Sequence, residues 1–189
     1  MLPPAEGQTE AERDYGRILY STPFRRLHSK TQVFPMPEND HVHSRLTHSL
    51  EVAYTGGFVG NKVGLVVIER HRDELAGRDF RQFGFIVSAA CLAHDIGNPP
   101  FGHAGERAIG SVFRVQEVET IVESLTPWQR ADLQSFDGNA QGFRILARRS
   151  QQVDRGGMRL SMPTLGAYAK YPQRSLDVPP KTERRSRKK

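Results

Sequence analysis

Residues 83–106 read FGFIVSAACLAHDIGNPPFGHAGE. The first eleven are apolar on nearly every side, as expected of a helix threaded through the middle of a bundle rather than laid on its surface. Gly97 and the Pro99-Pro100 pair stop that helix, and the residues from His103 to Phe113 start another. Between them stand His94 and Asp95, adjacent, at the end of the most hydrophobic segment of the chain. Burying an imidazole beside a carboxylate is costly unless each finds a partner, and one divalent cation would satisfy both. The alternative is an ordinary helix end at which His94 caps the last carbonyls. The cysteine in this stretch, Cys91, is the only one in the chain, which precludes an intrachain disulfide and makes it a buried small hydrophobe.

Helical periodicity continues on both sides. Leu46, Leu50, Ala53 and Phe58 are spaced to bury one face of a helix starting near Ser44. His48 lies two residues from both Leu46 and Leu50, about 200° away around the helix, so it faces elsewhere. Arg45 and Glu51, three residues to either side, share its face. Upstream, residues 11–30 predict helix, turn and helix, with Thr22 as N-cap and Pro23 fixing a first-turn φ. Residues 30–44, KTQVFPMPENDHVHS, read as a loop with a short extended piece at TQVF. Arg25, Arg26 and Lys30 read as a solvated basic helix face. Downstream, 126–136 predicts a helix capped by Thr126 with Pro127 in its first position, followed by helices at 139–149 and 162–171. Strand-like alternation joined by hairpin turns is not comparably strong, so the fold class is all-α.

Of 189 residues, 27 are Lys or Arg and 21 are Asp or Glu, a formal charge of +6. The last nine residues, KTERRSRKK, carry six basic groups against one acidic. The excess is therefore largely a terminal run, read with the rest of 173–189 as a basic disordered tail after a polar leader at 1–12 and a folded portion at 13–172. No apolar run approaches the roughly 20 residues of a membrane span, and the first twenty residues lack a signal peptide's basic start and apolar centre. The expected location is the cytoplasm.

A single histidine followed several tens of residues later by an adjacent His-Asp pair resembles the opening of the HD-domain phosphohydrolase signature. PFRRLHSKTQVFP, HSRLTHSLEVA, LAHDIGNPPFGHAGE, FDGNAQGFRILAR and LSMPTLGAYAKYP, in that order, resemble successive segments of the dGTPase-type dNTP triphosphohydrolases. The resemblance covers roughly residues 13–172 and implies an HD-domain helical bundle. It also implies a divalent metal held by His48, His94 and Asp95 together with an aspartate from a helix well downstream. Mg²⁺ or Mn²⁺ is the first expectation; the donor set also suits Fe²⁺, Zn²⁺ or Ni²⁺. The implied reaction is attack of water on the α-phosphorus of a dNTP, with dGTP favoured, releasing a deoxynucleoside and inorganic triphosphate. His103 and Glu106 match the family's acid/base pair. Three apart on a helix, they can share one face, with Glu106 setting the imidazole tautomer. Arg45 matches an arginine that neutralises the triphosphate. Gln32 and Asn98 match positions near sugar and phosphate, and Asn139 and Gln141 line the same cleft; a plain hydrogen-bonding role stays open for each of these four.

The family's last metal ligand has no match. Asp177 is the only aspartate after Tyr171, and SLDVPP lacks the helix and the flanking residues of the family's pattern, so it is not assigned as a ligand. The expectation is a bundle left incomplete by truncation, with weak or absent activity for the chain alone, and a homo-oligomer if complete. The alternative function is a non-catalytic HD-fold module that binds nucleotides or single-stranded nucleic acid through its basic surface.

Overall fold

The computed structural model describes residues 7–30, 32, 43–148 and 158–177, and every regular element among them is helical. The extended piece expected at TQVF, most of the loop around it and the basic terminus beyond 177 lie outside the described residues. Helix α1 (Glu10–Leu19) starts inside the stretch read as polar leader. Thr9 and Glu12 form a capping box there, the Thr9 side chain accepting from Glu12 N–H while the Glu12 carboxylate accepts from Thr9 N–H. In α2 (Thr22–Arg25) the cap falls one residue earlier than expected: Ser21 Oγ accepts from Phe24 N–H, which leaves Thr22 and Pro23 inside the first turn. A 3-10 turn, Arg26–Ser29, continues α2.

The centre of the molecule is the pair α3 (Arg45–Arg70) and α4 (Arg81–Ala93). The sequence placed Leu46, Leu50, Ala53 and Phe58 on the buried face of α3. Only part of that holds: Ala53 is buried and Leu46 packs on the core, but Leu50 and Phe58 are exposed. The face turned inward is instead Arg45, Ser49, Ala53, Gly60 and Gly64. The reason is close approach. A Cβ on Gly60 would stand 2.9 Å from both Gly84 Cα and Phe83 O, so large side chains at this seam would drive the helices apart. The helix α4 is the expected core helix: Ala89, Ala90, Leu92 and Ala93 are buried, and α1, α3 and α9 pack on it. Cys91 is only half-buried, contrary to the sequence reading, because it faces an open groove; burial still pushes its thiol pKa up.

Helices α5 (His103–Val112), α6 (Glu119–Glu123), α7 (Pro127–Gln134), α8 (Gly138–Ala147) and α9 (Met162–Tyr168) complete the bundle. Thr126 caps α7 in a capping box with Gln129, as its sequence predicts. Asp137 caps α8, its Oδ1 accepting from Asn139 and Ala140 N–H. The buried Asp14 on α1 accepts from both Ser161 N–H and Ser161 Oγ, which fixes α9 to α1 across the chain. Residues 173–177, read as tail, instead turn back on α7: Ser175–Asp177 is a 3-10 turn, Ser175 Oγ donates to Asp132, and the Arg174 guanidinium lies 5.3 Å from the Trp128 ring centre. Such contacts span more than forty residues and leave no local periodicity to read. Among the described residues, no helix is long and apolar enough to cross a membrane.

Candidate metal centre

His94 is the C-cap of α4, and that role is compatible with a free ring nitrogen on its other side. Its Nδ1 lies 2.8 Å from the Cys91 carbonyl oxygen, which can only accept, so Nδ1 carries the proton and caps the helix end. That leaves Nε2 with a free lone pair, the tautomer a metal-ligating histidine requires. Asp95 follows at once, 4% exposed, with its Oδ1 3.5 Å from His94 Nε2. From α3, His48 brings its ring edge-on to His94, with centroids 5.2 Å apart. One ligand atom from each of His48, His94 and Asp95 lies within 4.8 Å of the others.

A buried carboxylate at this point needs compensation, and it receives it from two sides. Arg45 Nη1 donates to Asp95 Oδ2 at 2.8 Å, with both side chains more than nine-tenths buried. The Asn98 amide donates to Oδ1. Arg45, matched to a triphosphate contact, therefore has its guanidinium on the metal-ligand candidate. Asn98, matched to the sugar and phosphate region, likewise holds Asp95. Below them, Lys30 Nζ donates to the Asn98 carbonyl at 2.8 Å. Arg25 and Arg26 are exposed as expected, but Lys30 is not the solvated cation of the sequence reading. Burial, then Arg45, lowers its pKa, with Asp95 opposing. The turn that follows is tight. Phe101 adopts φ 64° and Gly102 φ 52°, and a Cβ on Gly102 would come within 3.1 Å of Arg45 Nη2.

His103 and Glu106 pair as the sequence spacing predicts: Nδ1 lies 2.7 Å from Glu106 Oε2. The two differ sharply in exposure, the His103 side chain 87% accessible and that of Glu106 only 7%. Gly138 N–H donates to Glu106 Oε1 at 2.8 Å, so both carboxylate oxygens are engaged. A side chain at Gly138 would collide with Asn98 Oδ1. Asn98 thus packs against Gly138 where two hydrogen-bonded groups meet, Arg45–Asp95–Asn98 on one side and Gly138–Glu106–His103 on the other.

The remaining sequence candidates are less closely tied. Asn139 is half-buried and contributes its backbone carbonyl, which accepts from Tyr168 Oη at 3.4 Å. Gln141 is half-buried on α8, and Gln32 has a buried Oε1 with no hydrogen-bond partner among the described residues. Lys30, Tyr168, Gly97 and Gly142 carry the surroundings of the site without having been assigned to it. Tyr168 Oη abuts Gly142, whose backbone in turn abuts Gly97 just after Asp95. The glycines in DIGN and GNAQG were the readable signal for this close approach. Beside His48 an apolar groove of about 510 Å³ opens between α3 and α4, lined by Val52, Gly56, Val59, Val87 and Cys91.

Residues 45–133 match the HD domain family, a span that contains His48, His94, Asp95, His103 and Glu106. The chain carries an HD domain. It is 49% identical over 177 residues to a deoxyguanosinetriphosphate triphosphohydrolase-like protein of Synechocystis sp., an alignment covering 93% of this chain and 40% of that protein. It is 47% identical over 167 residues to a protein of the same description from Pseudomonas aeruginosa, covering 88% of this chain and 37% of that one. A deoxyguanosinetriphosphate triphosphohydrolase of Klebsiella pneumoniae is 38% identical over 190 residues, with 85% and 36% covered. The chain thus spans about two fifths of the length of the curated relatives it matches.

The HD domain's donors fit a divalent cation on chemistry as well as proximity. Two imidazoles and one carboxylate form a borderline N/O set suited to first-row divalent ions. His94 turns Nδ1 to the Cys91 carbonyl, which leaves Nε2 on the side of Asp95, and Arg45 and Asn98 each donate to one Asp95 oxygen while leaving lone pairs on it.

Proposed function

We propose that this HD domain serves metal-dependent hydrolysis of a deoxynucleoside triphosphate, dGTP first, to the deoxynucleoside and inorganic triphosphate. The unit proposed to do so is residues 13–172, and the proposed setting is the cytoplasm. The observation carrying the reading is the convergence of His48, His94 and Asp95 in a chain whose relatives are described as deoxyguanosinetriphosphate triphosphohydrolases.

His48, His94 and Asp95 would hold the cation, with Mg²⁺ or Mn²⁺ preferred. Bound there, it would offset phosphate charge and polarise the P–O bonds. His103 supplies the proton chemistry. Glu106 accepts from Nδ1–H and fixes the tautomer, so Nε2 is left to take a proton from the attacking water and return it to the leaving 5′-oxygen. Gly138 N–H keeps the Glu106 carboxylate from rotating away. Arg45 serves this chemistry by holding Asp95.

Among the described residues three protein donors converge, which leaves coordination positions for substrate and for further ligands. The test is product analysis with purified chain, Mn²⁺ and dGTP, beside His94→Ala. Triphosphate released by the first and not by the second supports the reading. Pyrophosphate or single phosphate as product sinks the assigned chemistry, and failure of the chain to bind Mn²⁺ sinks the metal centre itself.

A further inference from the structure

Four residues close a polar circuit around Asp95. Arg45 N–H donates to the Lys30 carbonyl at 2.9 Å, and Arg45 Nη1 donates to Asp95 Oδ2 at 2.8 Å. The Asn98 amide donates to Asp95 Oδ1, and Lys30 Nζ closes the circuit on the Asn98 carbonyl at 2.8 Å. The last of these bonds reaches across 68 residues, from the end of the 3-10 turn after α2 to the turn that follows α4. Its acceptor has a particular place. The Asn98 carbonyl lies beyond the end of α4 and precedes Pro99, so no helical ladder fixes its direction. The peptide plane it belongs to is joined at the Asn98 Cα to the side chain whose amide donates to Asp95, so a bond on the carbonyl restrains the residue that holds the carboxylate.

We propose that Lys30 is a positioning residue for the metal centre: its ammonium pins the Asn98 carbonyl, which keeps the Asn98 amide on Asp95 Oδ1 and the carboxylate in one orientation toward His48 and His94. The inference rests on the metal-binding reading above. It carries a sign that plain electrostatics does not. A lysine near a cation site repels the cation, so if charge were its only influence, removing it would tighten metal binding. If Lys30 acts through Asn98, removing it weakens binding, because the ligand loses its fixed orientation.

The test is titration of the full chain with Mn²⁺, followed by the electron paramagnetic resonance signal of the free ion. Lys30→Met should weaken Mn²⁺ binding by about 10-fold or more, the scale of lost outer hydrogen bonds to ligands, and Lys30→Arg should restore most of it. Leu146→Ala is the control for a purely structural loss: it removes a buried core side chain distant in role from the circuit, and should lower Tm while leaving the Mn²⁺ affinity of the folded protein unmoved. Should Lys30→Met not fold, as judged by circular dichroism, Lys30→Gln, neutral but still a donor, is measured in its place and should weaken binding in the same direction. Equal or tighter binding by the neutral variant, with binding by the unmodified chain intact, overturns the role of Lys30 and leaves the metal centre standing. No binding by the unmodified chain overturns both.

Discussion

Gly138 N–H donates to Glu106 Oε1 across 32 residues of sequence, at the point where α8 begins. The bond joins the only buried carboxylate of α5 to the same glycine on which Asn98 rests. The proposed acid/base pair and the metal-ligand candidates therefore both lean on one backbone position, and perturbing it should disturb both.

Gly138→Ala places a Cβ against Asn98 Oδ1 and 3.1 Å from Glu106 Oε1. Neither neighbour can yield freely, since each is already bonded. Loss of about 1–3 kcal/mol is expected, the usual range for overpacking, together with weaker Mn²⁺ binding. Urea unfolding reads the first; an unchanged midpoint would show that the site accommodates the methyl and that the close approach is not a constraint.

Arg45→Met leaves Asp95 buried without its cation. Breaking such a pair costs about 3–5 kcal/mol, and here both side chains are more than nine-tenths buried. Saturating Mn²⁺ should recover part of the loss, because a cation on Asp95 replaces the missing charge and binds the folded state alone. Thermal melts of the variant with and without Mn²⁺ measure this; a variant as stable as the parent without metal contradicts the pairing.

Gly142 and Tyr168 are predicted to be coupled. A methyl at Gly142 would collide with Tyr168 Oη, so Gly142→Ala should destabilise strongly by itself. Removing the hydroxyl in Tyr168→Phe makes room, and the double variant should recover part of the stability. A double-mutant cycle should give a coupling of about 1–3 kcal/mol, whereas simple additivity would mean that the two do not meet.

Burial, with Asp137 and Asp95 nearby, pushes the Tyr168 pKa up to about 12, above the ordinary value near 10. The folded protein therefore retains a proton that the unfolded chain gives up. Stability from this group is complete below about pH 10 and is lost as pH rises towards 12. Tyr15 is raised by burial too and adds a fall of the same sign, so the informative quantity is the difference between the parent and Tyr168→Phe. Urea midpoints between pH 9 and pH 11.5 should fall less steeply for the variant; parallel curves would contradict the shift.

Much of the local organisation was readable because its causes are local. Thr126 and Pro127 announce α7, the apolar run before His94 announces a central helix, and the three-residue spacing of His103 and Glu106 puts them on one face. Where the reading failed, the deciding contact came from elsewhere. Leu50 and Phe58 have the right spacing for a buried stripe, yet the close seam between α3 and α4 selects small residues and turns both outward. Lys30 sits in a stretch with two other basic residues and nothing to set it apart; only Asn98, 68 residues away, draws it inward.

The sequence by itself determined the helical class and the chemistry of the donors, since helix period, caps and the types of side chain at 48, 94, 95, 103 and 106 are properties of short segments. Tertiary structure decided what those donors rest on. Arg45 on Asp95 and Gly138 on Glu106 join residues 50 and 32 positions apart, and Asn98, itself only three residues from Asp95, packs on a glycine that has no side chain to advertise it. A buried carboxylate must find its partners in space, and nothing in the local pattern says which element will supply them.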